Sequence, residues 1–266
     1  MNNNDKQTEF LYARLSDMVS DACAGIFRAS AFFTPHELVL VRRWLSSEGR
    51  GTQFRIYGGY EHAERARVYF LPDFMDDDGE CDAGELVCRY GYEDPTVAVR
   101  VRGSGFRRLT HRDYMGTVLS LGIERDSIGD IVVCSDHEAY VFCDRAISGY
   151  IVSSLTKIAR DAAKAEIALV PEGRFGERQL EQKRDTVASL RLDAIVACAA
   201  NMSRESAKSA VTTGLCELNY EQVTSPDAEV SVGDIFSIRG KGKFRLGSVD
   251  GENARGRLRI MLQKYI

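Results

Sequence analysis

Across 266 residues no uninterrupted apolar run comes near the roughly 20 residues that a bilayer span requires, and Met1-Asn2-Asn3-Asn4-Asp5 lacks the basic start of a secretory leader. Both absences lead to the expectation of a cytoplasmic protein with no membrane partner. Cys-x-x-Cys pairs are missing and no His stands at metal-finger spacing, which argues against a zinc site. Scattered and odd in number, Cys23, Cys81, Cys88, Cys134, Cys143, Cys198 and Cys216 are expected to be buried reduced thiols. A basic surplus is missing too: 35 Lys plus Arg face 39 Asp plus Glu, a net of −4, whereas proteins that bind polyanions usually carry excess positive charge. What is present is a composition of 44% hydrophobic and 28% charged residues with a mean hydropathy of −0.25, which excludes wholesale disorder. The length fits one or two domains, or three small ones.

From Glu9 to about Arg28, Phe10, Leu11, Leu15, Met18, Val19 and Ala22 recur at three- and four-residue intervals, a pattern that predicts an amphipathic helix. Thr34 and Pro35 are a cap and a first-turn residue for a second helix, whose apolar stripe includes Leu38, Val41 and Leu45 and which Gly49 and Gly51 end. Strands are predicted at Gln53–Tyr57 and Arg67–Leu71. Between Asp73 and Glu85 stand seven acidic residues and no basic one; the spacing and final Glu of an EF-hand are missing, so this is read as a solvated loop.

Residues 96–170 read as strand, helix, strand, strand, helix, strand. Val97, Val99 and Val101 alternate with Ala98, Arg100 and Arg102; a helix runs from His111 to Leu121; a hairpin joins Asp130–Cys134 to Ala139–Cys143; a helix covers Ala146–Arg160; and Glu166–Val170 is a last strand closed by Pro171. This order predicts a ferredoxin-like plait, the βαββαβ arrangement of RNA-recognition folds. Tyr140 and Phe142 are the only aromatics on the two central strands, so a base-stacking face is doubtful there. Arg100 and Arg102 share a face as candidate phosphate contacts, or as its solvated side.

Beyond a polar connector at 173–185, holding an edge strand at most, Leu192, Ile195, Val196 and Ala199 face inward from a short helix. Ser203 caps a second helix from Arg204 to about Thr213, and strands follow at Leu215–Leu218 and Asp234–Arg239. Arg204 and Lys208 stand four residues apart, on one exposed face beside a helix N-terminus that itself favours phosphate. Arg191-Leu192-Asp193, Ser203-Arg204, Gly214, Asn219, Gly233-Asp234 and Arg239-Gly240-Lys241-Gly242-Lys243, in this order across about 50 residues, resemble the S4 domain, a small RNA-binding module. The resemblance implies that Arg191, Arg204 and Lys208 contact phosphate, with Arg239, Lys241, Lys243 and Arg245 extending the contact. Charge agrees: residues 183–266 hold 13 basic against 10 acidic residues, a net of +3, while the other 182 hold 22 against 29, a net of −7.

Upstream, Phe54 to Pro72 with Tyr57-Gly58-Gly59-Tyr60-Glu61-His62-Ala63-Glu64-Arg65, and the run from Leu109-Thr110-His111-Arg112-Asp113-Tyr114-Met115-Gly116 through Leu121 to Ile131, resemble the bacterial YlmH family along nearly the whole chain. That resemblance implies an α+β protein: an N-terminal α/β segment (residues 1–85), a ferredoxin-like, RRM-like domain (86–172), a connector (173–185) and a C-terminal S4 RNA-binding domain (186–266). It further implies a monomer without a cofactor or catalytic residue, whose partners are ribosomal RNA and tRNA on the large ribosomal subunit. Its expected role is to steady peptidyl-tRNA in ribosome-associated quality control, alongside a link to cell division. An enzyme reading is weighed against it. His111-Arg112-Asp113 is similar to the His-Arg-Leu-Asp of pseudouridine synthases, whose Asp is the nucleophile, but the Leu and the surrounding motif are absent. His111 and Arg112 are read instead as secondary RNA contacts at a helix start. Gly103-x-Gly105 lacks the third glycine of a nucleotide-binding loop.

Overall fold

The computed structural model describes residues 3–48, 51–170, 175 and 180–265. Gly49, Pro171 and Gly173, expected to end a helix, close a strand and open the connector, lie outside the described residues. The chain divides into two compact units, residues 1–176 and 177–266.

The first unit starts with α1 (Asn3–Cys23), which stops short of the expected Arg28 because Gly25 turns the chain at φ +83° and β1 (Arg28–Ala29) pairs with a strand. Helix α2 (Pro35–Ser47) begins as the sequence suggests: the Thr34 hydroxyl accepts from Glu37 N–H at 3.2 Å, and the Glu37 carboxylate accepts from Thr34 N–H at 2.7 Å. Strands β2 (Gln53–Tyr57) and β3 (Arg67–Leu71) match their expected bounds and form an antiparallel sheet of order β1-β3-β2. The acidic run holds an unforeseen helix, α3 (Ala83–Arg89), capped by Asp82. Upstream in that run, Asp77 pairs with Arg55.

The central segment comprises β4 (Thr96–Gly103), α4 (His111–Ser120), β5 (Ile128–Ser135), β6 (Glu138–Asp144), α5 (Arg145–Ser154), β7 (Lys157–Ile158) and β8 (Asp161–Ile167). Its sheet has the order β5-β6-β4-β8-β7, antiparallel throughout. The largest differences from the expected boundaries come at the end of this segment, where the last strand also stops at Ile167 instead of Val170. Helix α5 ends at Ser154, and Ile158, read as part of its stripe, is buried from β7 instead; the last strand starts five residues early, at Asp161. The run Asp161-Ala162-Ala163-Lys164-Ala165 has little strand propensity, and pairing from Val99↔Ile167 to Gly103↔Ala163 decides its conformation.

One face of this sheet is covered by α4 and α5 through Val99, Val101, Tyr114, Val118, Val141 and Ile151. The other face is tied to the N-terminal segment by buried charge. Arg67 donates to Asp144 at 2.6 Å and to the Pro95 carbonyl at 2.8 Å, beneath the Phe32 ring at 4.5 Å. Asp130 accepts from Tyr60 OH, Glu64 N–H and Arg65 N–H at 2.7–3.1 Å. Gly59, at φ +99°, permits this approach, since a Cβ there would lie 2.3 Å from the Phe142 ring.

The second unit consists of β9 (Leu180–Val187), α6 (Leu192–Ala199), α7 (Arg204–Thr212), β10 (Cys216–Leu218), β11 (Glu221–Gln222), β12 (Ile235–Ile238), β13 (Gly242–Glu252) and β14 (Leu258–Tyr265). They build an antiparallel sheet of order β11-β10-β12-β13-β14-β9, in which the edge strand allowed for in the connector runs over eight residues and past its expected end. Leu192, Ile195 and Val196 of α6 pack with Val211 of α7 against Phe236, Phe244, Leu246 and Ile260 of the sheet. Gly214, at φ +72°, ends α7.

The expectation of uniformly buried thiols is corrected. All seven cysteines are free, but only Cys143 and Cys216 are buried, while Cys23, Cys88 and Cys134 are exposed. Cys134 is exposed because the last residues of β5 leave the core.

Candidate nucleic-acid interface

Arg191 immediately precedes α6 and Arg204 opens α7, and the fold brings both onto one carboxylate. Asp193, in the first turn of α6, has a side chain only 4% exposed. Arg191 donates to it through Nε at 3.2 Å and Nη2 at 3.4 Å, and Arg204 through Nε and Nη2 at 3.4 Å each. Burial acts to raise the Asp193 pKa, but the two guanidiniums outweigh it and hold the acid below its ordinary value, while the bond to Asp193 raises that of Arg191. Three charges therefore sum to +1, with the Arg191 and Arg204 side chains 43% and 53% exposed.

The turn that delivers Arg204 is itself fixed. Ser203 Oγ accepts from Ser206 N–H at 3.1 Å, and Asn201 takes a φ of +50°. Lys183 of β9 donates to the Cys198 carbonyl and to Asn201 Oδ1, a support that sequence reading missed because Lys183 lay in the supposed connector. Lys208 is exposed one turn beyond Arg204.

A second basic group occupies the β12–β13 hairpin. Arg239 and Lys241 lie in its turn rather than in a strand, because pairing closes at Ile238↔Gly242. Lys243 and Arg245 alternate with buried Phe244 and Leu246 and so point away from the core. Lys243 is not a bare cation: its Nζ sits 4.8 Å from the Tyr220 ring centroid and 4.9 Å from that of Tyr265. Asn219 and Asp234 are structural, since Asn219 Nδ2 donates to Asp234 at 2.9 Å and Asn219 Oδ1 accepts from Ile235 N–H at 3.0 Å.

In the first unit the sequence-derived candidates are differently placed. Arg100 and Arg102 project from the sheet face that carries Tyr140, but both meet Glu166 of β8, whose pKa is lowered mainly by the hydrogen bond from Arg100. Tyr140 and Phe142 are buried: Tyr60 stacks on Phe142 at 4.9 Å, and Phe175 meets Tyr140 at 5.2 Å and Phe142 at 5.8 Å. His111 and Arg112 are exposed in the first turn of α4. Asp113 closes its capping box, accepting from Thr110 N–H at 2.9 Å and from Arg107 at 3.2 Å. Among the described residues no group of three His, Cys, Asp or Glu is placed to hold a metal ion, and no helix is long and apolar enough to cross a membrane.

Residues 98–170 match the family model described as "Putative RNA-binding domain in YlmH". The chain is also 28% identical over 233 residues to "Ribosome-associated protein quality control protein P2" of Bacillus subtilis (strain 168), an alignment covering 88% of this chain and 85% of that protein. The chain is similar to the YlmH family in its central segment. A solved structure described as "Cell division protein ylmH from Streptococcus pneumoniae" is 18% identical, covers 63% of this chain and 93% of its own, and has a TM-score of 0.49. The matched segment starts at Ala98 in β4 and runs past the end of β8, so it takes in Arg100, Arg102, Tyr140 and the start of α4. The Arg191–Asp193–Arg204 cluster and the basic hairpin lie beyond that segment.

Proposed function

We propose that the chain is a non-catalytic RNA-binding protein that docks on the large ribosomal subunit through its C-terminal unit and contacts ribosomal RNA and tRNA. In this reading the C-terminal unit is an S4 domain, and the central segment is a ferredoxin-like plait with a small added hairpin. The protein steadies peptidyl-tRNA on obstructed subunits during ribosome-associated quality control. The observation that carries the reading is the pair Arg191 and Arg204 on the shared Asp193, beside the start of α7. Guanidiniums already oriented by a buried acid retain exposed N–H groups for phosphate, and a helix N-terminus adds favourable potential for an anion. The name of the B. subtilis relative points to the same setting. Capping by Asp113 gives that carboxylate a structural use.

Arg191→Ala combined with Arg204→Ala is expected to abolish co-sedimentation with large ribosomal subunits at physiological salt while the protein stays folded. For binding that persists at low salt, the log–log salt slope should flatten by about 0.7–0.9 for each phosphate that is no longer neutralised. Co-sedimentation of the folded double variant at the wild-type level would defeat the proposal.

A further inference from the structure

Asn219 and Tyr220 form the two-residue turn between β10 and β11, with φ of +49° and +67°, and Leu218 pairs with Glu221 across it. A hairpin turn with two positive φ values strongly favours Asn followed by Gly. Asn219 suits its place and is held there by Asp234 and Ile235. Tyr220 does not: its Cβ enters the left-handed region, which glycine occupies freely and Asn tolerates, and a bulky residue in that region persists where its side chain has a use. The ring lies over Lys243, on the hairpin that also carries the exposed cations Arg239, Lys241 and Arg245. Tyr265 holds the same ammonium from a second side, so the cation and both rings form one ordered group. Part of Tyr220 remains accessible at the tip of the turn.

We infer that Tyr220 is a stacking platform for an unpaired nucleobase of the bound RNA, with Lys243 and its hairpin neighbours meeting the adjoining phosphate. Every base has a π-face, so such a contact tolerates sequence, and a basic strand beside an aromatic ring is the arrangement that tracks a single-stranded backbone. The inference rests on the RNA-docking reading above and adds a base contact to its phosphate contacts.

The test uses the full chain with large ribosomal subunits as the probe, comparing Tyr220→Gly, Tyr220→Asn and Tyr220→Phe with the double arginine variant. Gly and Asn both accept the turn conformation, so these ringless variants keep the fold; Tyr220→Gly should melt no lower than wild type. Both should bind about 5- to 150-fold more weakly, the range for removal of one stacked base. Tyr220→Phe, which keeps the ring, should bind within about threefold of wild type. Since no charge is removed, the salt slope stays as in wild type, whereas the arginine variant flattens it. Wild-type binding by folded Tyr220→Gly and Tyr220→Asn, with the arginine variant impaired, overturns the stacking site alone. Wild-type binding by the arginine variant as well removes the docking reading and this inference with it. A Tyr220→Phe variant as weak as Tyr220→Gly also overturns stacking, because the hydroxyl would then be the contact.

Discussion

Asp193 shows why a residue's role depends on what it touches. Its sequence context, Arg-Leu-Asp, does not name its partners, and the structure places it nearly buried between two arginines. Asp193→Asn keeps the shape and removes the charge. The variant should lose about 1–2 kcal/mol of stability, the scale of a hydrogen-bonded charge exchanged for a neutral group. The pH dependence has a definite sign. Because the folded pKa lies below the unfolded value near 3.9, the contribution of Asp193 is complete above that value and is lost as pH falls through the lower folded one. Thermal melts of wild type and variant between pH 7 and pH 2.5 should therefore differ at neutral pH and converge in acid. A constant gap would show that the acid contributes through shape alone. Lys183 and Tyr220 were not legible in the same way: one lay in a stretch without apolar periodicity, and the other owes its significance to a dihedral angle that composition does not encode.

At the scale of elements, those with strong local signals were read correctly. Thr34-Pro35 starts α2, and β2 and β3 have the expected bounds, since alternating β-formers and caps act through near neighbours. Elements decided by partners were missed or shifted. Helix α3 hides in an acidic run with only a short apolar patch at Leu86 and Val87, and β8 is extended because β4 pairs with it, not because its alanines prefer that conformation. The start of α4 tests a local device directly. Asp113→Ala opens the capping box on Thr110 and should cost about 0.5–2 kcal/mol in denaturant-derived stability. It should also leave the modified nucleosides of ribosomal RNA and tRNA unchanged when it replaces the wild-type gene. Disappearance of one modified nucleoside would instead give Asp113 a catalytic role.

For the whole molecule, the chain forms two compact units, and in the first of them buried Arg65, Arg67 and Asp130 join the N-terminal segment to the central sheet. Such contacts between distant stretches of chain leave no periodic trace in the sequence. Each unit has its own apolar core, so each should unfold as a cooperative body. Ile195→Ala removes a fully buried side chain from the C-terminal core and should cost about 2–5 kcal/mol there. Followed by calorimetry, the C-terminal transition should drop while that of residues 1–176 keeps its midpoint; equal displacement of both would mean that the units unfold as one. The charge division also belongs to this scale, since a net of −4 averages an acidic stretch with a basic one and conceals the face that could attract a polyanion.

Under the proposed docking on RNA, the shared carboxylate of Asp193 also bears on the time course of the encounter. A free arginine side chain samples many rotamers, and fixing one at an interface costs about 0.5–1.5 kcal/mol. Arg191 and Arg204 have much of that freedom removed during folding, before any polyanion arrives. Less ordering is left for the encounter itself, so the complex gains lifetime without an added contact.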